Sequence, residues 1–238
     1  MIPHWAGQLY PLFMALSLAT GFWLKRKYPS APALAPFEQF WIGLCAFVGA
    51  MLFAKLPFLF HDGVRWSLEA FVLSGRTILA GFAGGYLGVE LGKWRLGIRV
   101  STGDSFAVPV AGAIAVGRLA CLIGGCCYGT PTEMPWGIVF PSVDQLPRHP
   151  MQLYEFIFHL TAAVVLHRFR RQRVLPGRLI EFYFISYCIF RFFSEFLRPE
   201  PRIAGFLTGY QYLAIVLLVL FGLRFVYKPL ATGCRPTG

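Results

Sequence analysis

The chain is poor in charge, and poorest in negative charge. Of its 238 residues 14% are charged, and only 11 are Asp or Glu against 22 Lys or Arg. Soluble domains carry about 25% charged residues, so a water-soluble one- or two-domain protein is a poor fit. A cleavable signal pattern is also missing. The opening MIPHWAGQ has no basic stretch, and the first apolar run ends in KRK, a stop-transfer pattern. The six cysteines show neither metal-ligand spacing nor a secreted disulfide framework. Internal repeats and the alternation of a membrane barrel are absent too.

Apolar surface is abundant. Hydrophobic residues make up 56% of the chain, 24 residues are Phe, and mean hydropathy is +0.58. Seven apolar segments have about the length that spans a bilayer, near 9–24, 38–60, 68–92, 105–123, 151–168, 179–197 and 207–227. Only a helix satisfies the backbone of an open chain in lipid. The expected fold is therefore all-α: one transmembrane domain over 1–238 with seven transmembrane helices.

The basic residues give this bundle an orientation. Lys25, Arg26 and Lys27 fall in the first connection, Lys93, Arg95 and Arg99 in the third, and Arg168, Arg170, Arg171, Arg173 and Arg178 in the fifth. Arg224, Lys228 and Arg235 lie at the C-terminal end. The even connections hold only Arg65, Arg148, Arg198 and Arg202. The positive-inside rule then puts the N-terminus outside and the C-terminus in the cytoplasm. The net charge of +11 reads as topology and attraction to anionic lipid, not nucleic-acid binding. By the same topology, 124–150 is a structured external loop between helices 4 and 5. Its Pro, Gly and Trp136 suit a folded loop resting on the membrane.

Lys55, Arg76, Arg118 and Arg191 fall inside the segments. An arginine at a helix centre costs about 2.5–3.5 kcal/mol on insertion scales, so it faces a polar cavity or a partner. Tyr183, Tyr187, Arg191 and Glu195 recur every four residues along one helical face. A purely structural Arg191–Glu195 pair is one reading. A polar wall around an anionic head group is the other, and Arg118 and Arg198 near the same depth favour it, with phosphate as the anion. In RHPMQLYE (148–155), Pro150 suits the first turn of a helix. Arg148, His149, Gln152, Tyr154 and Glu155 cluster at its mouth.

GRLACLIGGCCYG, PWGIVFP, RHPMQLYE and FRFFSEFLRPEP, in this order over roughly 8–225, resemble the prolipoprotein diacylglyceryl transferase family. The resemblance implies transfer of a diacylglyceryl group from phosphatidylglycerol, an anionic phospholipid, to the lipobox cysteine of a preprolipoprotein, with glycerol phosphate leaving. It implies a multi-pass protein of the bacterial inner membrane, with the active site toward the periplasmic face and no cofactor. It assigns catalytic parts to Arg118, Tyr187, Arg191 and Glu195, with His149 as acid or base. Gly129, Gln152, Tyr154, Arg148, Tyr10, Cys121 and Cys126 fall at substrate-binding positions.

Three positions depart from the family. Ala83 stands where the family has a histidine before two glycines, Cys121 where it has an asparagine, and Cys126 where it has a glutamate. The acceptor is therefore left open. Two alternatives stand beside the transferase: a non-catalytic membrane protein that binds anionic phospholipid, and a membrane redox protein centred on Cys126 and Cys127. The cysteines read as small packing residues, an acceptor or relay thiol, or a redox pair. A disulfide between neighbours is strained.

Overall fold

The computed structural model describes residues 8–29, 34–59, 77–203 and 205–227. Arg65, Glu69, Arg76, Lys228, Cys234, Arg235 and the first part of the expected 68–92 segment lie outside the described residues. Seven α-helices appear among those described: α1 (Tyr10–Lys27), α2 (Pro36–Leu59), α3 (Ile78–Arg95), α4 (Gly103–Ile123), α5 (Met151–Arg171), α6 (Leu179–Ser194) and α7 (Gly209–Tyr227). Each coincides with one apolar segment of the sequence. Three stretches, Pro36–Leu56, Gly103–Ile123 and Gly209–Tyr227, are long and apolar enough by themselves to cross a membrane. The other helices are shorter or carry charge. The last turn of α5, for example, holds Arg168, Arg170 and Arg171.

Local chemistry fixes the helix ends. Pro11 sits in the first turn of α1, where no N–H is needed, and Lys25, Arg26 and Lys27 close its last turn. The start of α6 is capped from another helix. Asp104 on α4 accepts N–H bonds from Gly177 (2.6 Å) and Leu179 (3.0 Å). Nearby, Arg170 donates to the Asp104 carbonyl (2.7 Å). The start of α4 thus gathers the charged ends of its neighbours. Arg118 lies fourteen residues further along α4, about 20 Å away at the helical rise.

Two helix pairs pack through small residues. A Cβ on Gly49 of α2 would stand 2.3 Å from the Gly84 carbonyl oxygen of α3, and one on Gly88 would stand 2.1 Å from the Cys45 oxygen. The two backbones are in contact, the small-xxx-small arrangement of membrane helices. α1 lies antiparallel on α4, where Ser17 Oγ donates to the Ala113 carbonyl (2.7 Å). The core between α3 and α6 is aromatic, with Phe82 stacked on Phe184 (centroids 4.2 Å apart) and edge-on to Tyr187 (5.2 Å). Ala83 is half-buried against this core.

The 124–150 stretch is a folded loop. Its short strands β1 (Ile138–Val139) and β2 (Pro147–Arg148) pair antiparallel, Ile138 opposite Arg148. It is closed on itself and tied to the turn after α6. Gly129 N–H donates to the His149 carbonyl (2.9 Å), and Thr130 N–H to that of Leu197 (2.8 Å), in the 3₁₀ turn Glu195–Leu197 after α6. A second two-residue ladder, β3 (Arg202–Ile203) with β4 (Leu207–Thr208), leads into α7.

Candidate active site

α5 carries a stripe of buried polar side chains. Gln152, Glu155 and His159 each have 0% exposure. Their spacing of three and four residues puts them on one helical face. The stripe faces the Tyr183–Tyr187–Arg191 face of α6, also buried throughout. Polar groups this deep need partners, and the two faces supply them.

Glu155 is the centre. One of its oxygens pairs with Arg118 of α4, and the other accepts from Arg198 Nη2 (2.6 Å). Tyr187 Oη donates to it as well (3.3 Å). Beside this group Arg191 Nη2 stands 2.7 Å from Glu195 Oε2, as an ion pair rather than an aligned hydrogen bond. Glu195 also accepts from Thr208 Oγ1 (3.1 Å), and the Arg191 guanidinium lies over the Tyr210 ring at 5.5 Å. Three arginines from different elements thus converge on two carboxylates. Arg118 Nε, Arg198 Nε and Arg191 Nη1 are buried N–H groups with no hydrogen-bond partner. Such donors are rare in folded proteins, and guanidinium N–H groups suit an anion with several acceptor oxygens.

Next to Arg118 lie three thiols. Cys121, Cys126 and Cys127 bring their sulfurs within 4.8 Å of one another, and Arg118 Nη1 is 3.9 Å from Cys121 Sγ. The chain reverses here through two left-handed residues, Gly125 (φ 65°) and Cys127 (φ 64°). That conformation is unusual for a residue with a Cβ. The thiols of Cys121 and Cys126, with Arg118 and Arg198, hold the Cys127 thiol well below its ordinary range, while Cys126, bonded to the other two, is pushed up. Gln152 Nε2 donates to the Cys126 carbonyl, which joins this turn to the α5 stripe.

The loop side forms a separate group. His149 Nδ1 and Tyr154 Oη are 3.1 Å apart, and Trp136 Nε1 donates to the same hydroxyl (2.7 Å). Arg148 is held within the loop. It pairs with Asp144 and donates to the Gly129 carbonyl (3.1 Å). Gly129 is where the groups meet: a Cβ there would stand 2.7 Å from both His149 Cβ and the Leu197 oxygen. Tyr10 packs on the end of α4, near Gly124.

The residues expected from sequence therefore fall into three places. Arg118, Tyr187, Arg191 and Glu195 meet in the buried cluster, with Gln152, Cys121 and Cys126 at its edge. His149, Tyr154, Arg148 and Gly129 belong to the loop. Tyr10 lies at the end of the α1–α4 pair. Two central residues were underestimated from the sequence. Glu155 read as part of a helix mouth, yet it organises two arginines. His159 received no part, although it pairs with Tyr183 (2.7 Å) and its ring lies 4.9 Å from Tyr187. Its place at i+4 from Glu155 was the available signal.

A family model described as prolipoprotein diacylglyceryl transferase matches residues 2–227. The chain belongs to this family. It is 30% identical over 234 residues to the phosphatidylglycerol–prolipoprotein diacylglyceryl transferase of Legionella pneumophila (strain Paris), covering 91% of this chain and 89% of that protein. It is 32% identical over 238 residues to the enzyme of that name from Azotobacter vinelandii (strain DJ / ATCC BAA-1303), covering 91% and 86%. It is 34% identical over 156 residues to the phosphatidylglycerol–prolipoprotein diacylglyceryl transferase 2 of Clostridium perfringens (strain 13 / Type A), covering 61% of this chain and 59% of that protein. Membership and the apolar helices make this a bacterial membrane protein and a diacylglyceryl transferase. In this chain the three-thiol turn stands directly against the arginine cluster.

Proposed function

We propose that the chain transfers the diacylglyceryl group of phosphatidylglycerol to the cysteine thiol of a prolipoprotein. The observation that carries this is the set of three buried, unpartnered guanidinium N–H groups around Glu155 and Glu195. A phosphodiester fits them, and they suit the leaving group better as its charge grows, which is what catalysis requires. The acceptor sulfur attacks the glycerol carbon that bears the phosphate ester. The S–C bond forms, the C–O bond breaks, and the electron pair leaves with glycerol phosphate. The thiol proton passes to a base, for which His149 is placed on the loop side; His159 is fully buried and faces the tyrosines. Glu155 and Glu195 are positioning residues for the arginines.

The same proposal includes one transmembrane domain of seven spans, with the N-terminus outside and the cluster toward the outer face of the inner membrane. The charged groups around Asp104, Arg170 and Arg224, at the far end of α4, support it. A cavity of about 370 Å³ is lined by Phe82, Tyr86, Phe106 and Phe184, with Glu90, Lys93, Glu181 and Arg224 also on its wall, and its apolar part suits an acyl chain. A purely lipid-binding role would use the same arginines. Incubation with labelled phosphatidylglycerol and a lipobox peptide separates the two. Glycerol phosphate release that is lost in Arg118→Ala supports transfer, whereas intact lipid binding without release refutes it.

A further inference from the structure

Two of the three departures from the family's pattern, Cys121 and Cys126, do not stand apart in space. With Cys127 they form a triad whose sulfurs all lie within 4.8 Å of one another. Three thiolates bound to one zinc-like ion at about 2.3 Å would sit about 4 Å apart, so modest closure of the triad makes a trigonal site. A disulfide explains the arrangement less well. The neighbouring pair Cys126–Cys127 is strained as a bridge, and any pairing leaves the third sulfur idle. The turn is also built for convergence. Gly125 and Cys127 take left-handed conformations, and Cys126 N–H reaches back to the Cys121 carbonyl (3.1 Å).

Charge supplies the second argument. Arg118, Arg191 and Arg198 pair with Glu155 and Glu195 in the cluster, which, before the thiols are counted, leaves one surplus positive charge beside them. A divalent ion with three thiolates carries one negative charge and neutralises it. A phosphodiester monoanion neutralises the same surplus. We propose that Cys121, Cys126 and Cys127 bind one thiophilic divalent metal ion of the zinc class, and that the loaded centre competes with anionic phospholipid for Arg118. Soft thiolate ligands select such ions, and loading displaces thiol protons. The competition rests on the proposed donor site; the metal site does not.

The full chain, purified in detergent, reduced and freed of metal, is titrated with cadmium and then with zinc. One cadmium ion per chain is expected, with a sulfur-to-cadmium charge-transfer band in the ultraviolet. Cys121→Ser and Cys126→Ser should each weaken binding about tenfold or more. Cys127→Gly suits the left-handed backbone and should keep helix content by circular dichroism while losing the band. The Cys45→Ser, Cys188→Ser double variant should keep it. Zinc should weaken phosphatidylglycerol binding in the wild type and leave it unchanged in Cys127→Gly. A chain that takes up no cadmium after reduction, or whose band survives loss of all three thiols, overturns the metal site. Metal uptake without weaker lipid binding overturns the competition. Stoichiometric uptake in a chain that releases no glycerol phosphate would instead count against the transferase reading alone.

Discussion

Glu155 on α5 accepts a 2.6 Å hydrogen bond from Arg198, forty-three residues away beyond α6, while its other oxygen pairs with Arg118 on α4. One carboxylate therefore fixes two arginines from different elements. Removing one member of a buried ionic group leaves the others desolvated and unpaired, at a cost of about 3–5 kcal/mol. Glu155→Gln should lower the thermal midpoint markedly and abolish transfer. A variant that melts like the wild type would show that Glu155 does not organise the arginines.

The α2–α3 contact is predicted to be intolerant of a side chain at Gly84. A Cβ at Gly84 would stand 2.2 Å from the Gly49 oxygen and 2.3 Å from Phe53 Cβ. Gly84→Val should separate the two helices and cost on the order of 3 kcal/mol or more, as overpacking does. Gly43→Ala on α2, where a Cβ meets nothing within 4 Å, should be neutral. Thermal unfolding in detergent compares them.

Gly129 joins the loop to the end of the 3₁₀ turn. Gly129→Ala should push the loop off Leu197 and His149 and reduce turnover at least tenfold, with the helices intact. A steady-state assay alongside circular dichroism tests this. Unchanged kcat/KM would mean the contact has no catalytic consequence.

The loop also has a pH signature. The hydrogen bond from Arg148 holds the Asp144 carboxyl below the ordinary aspartate range. A group whose folded pKa is depressed stabilises at neutral pH, and its contribution is lost as pH falls through the folded value. Protection of the loop against proteolysis in the wild type, relative to Asp144→Asn, should therefore be largest at neutral pH. It should begin to fall below about pH 4 and vanish once the pH is below the depressed folded value. A difference that persists in acid would exclude the ion pair as its source.

The helices were legible in the sequence because apolar length in this chain is not diluted by charge. The Tyr183–Tyr187–Arg191–Glu195 face was legible because it repeats every four residues along one helix, and the structure buries all four. What the sequence did not show depends on distance between elements. Glu155 meets Arg118 across 37 positions of chain, by the residue numbers, and nothing in the spacing of either reveals it. The cysteine triad was hidden for a different reason. Four residues separate Cys121 from Cys126, unlike familiar ligand spacings, and two left-handed residues bring the sulfurs together. The glycines of α2 and α3 were visible as residues, but their role appears only when the two backbones touch.

The arginine cluster has a consequence for how a lipid is met. Its guanidinium groups are already anchored by Glu155 and Glu195, and Glu195 is itself held by Thr208, before any lipid arrives. Little side-chain freedom remains to be frozen when the phosphate enters. The site is preorganised, so the ordering that binding still requires falls on the lipid's own head group and chains.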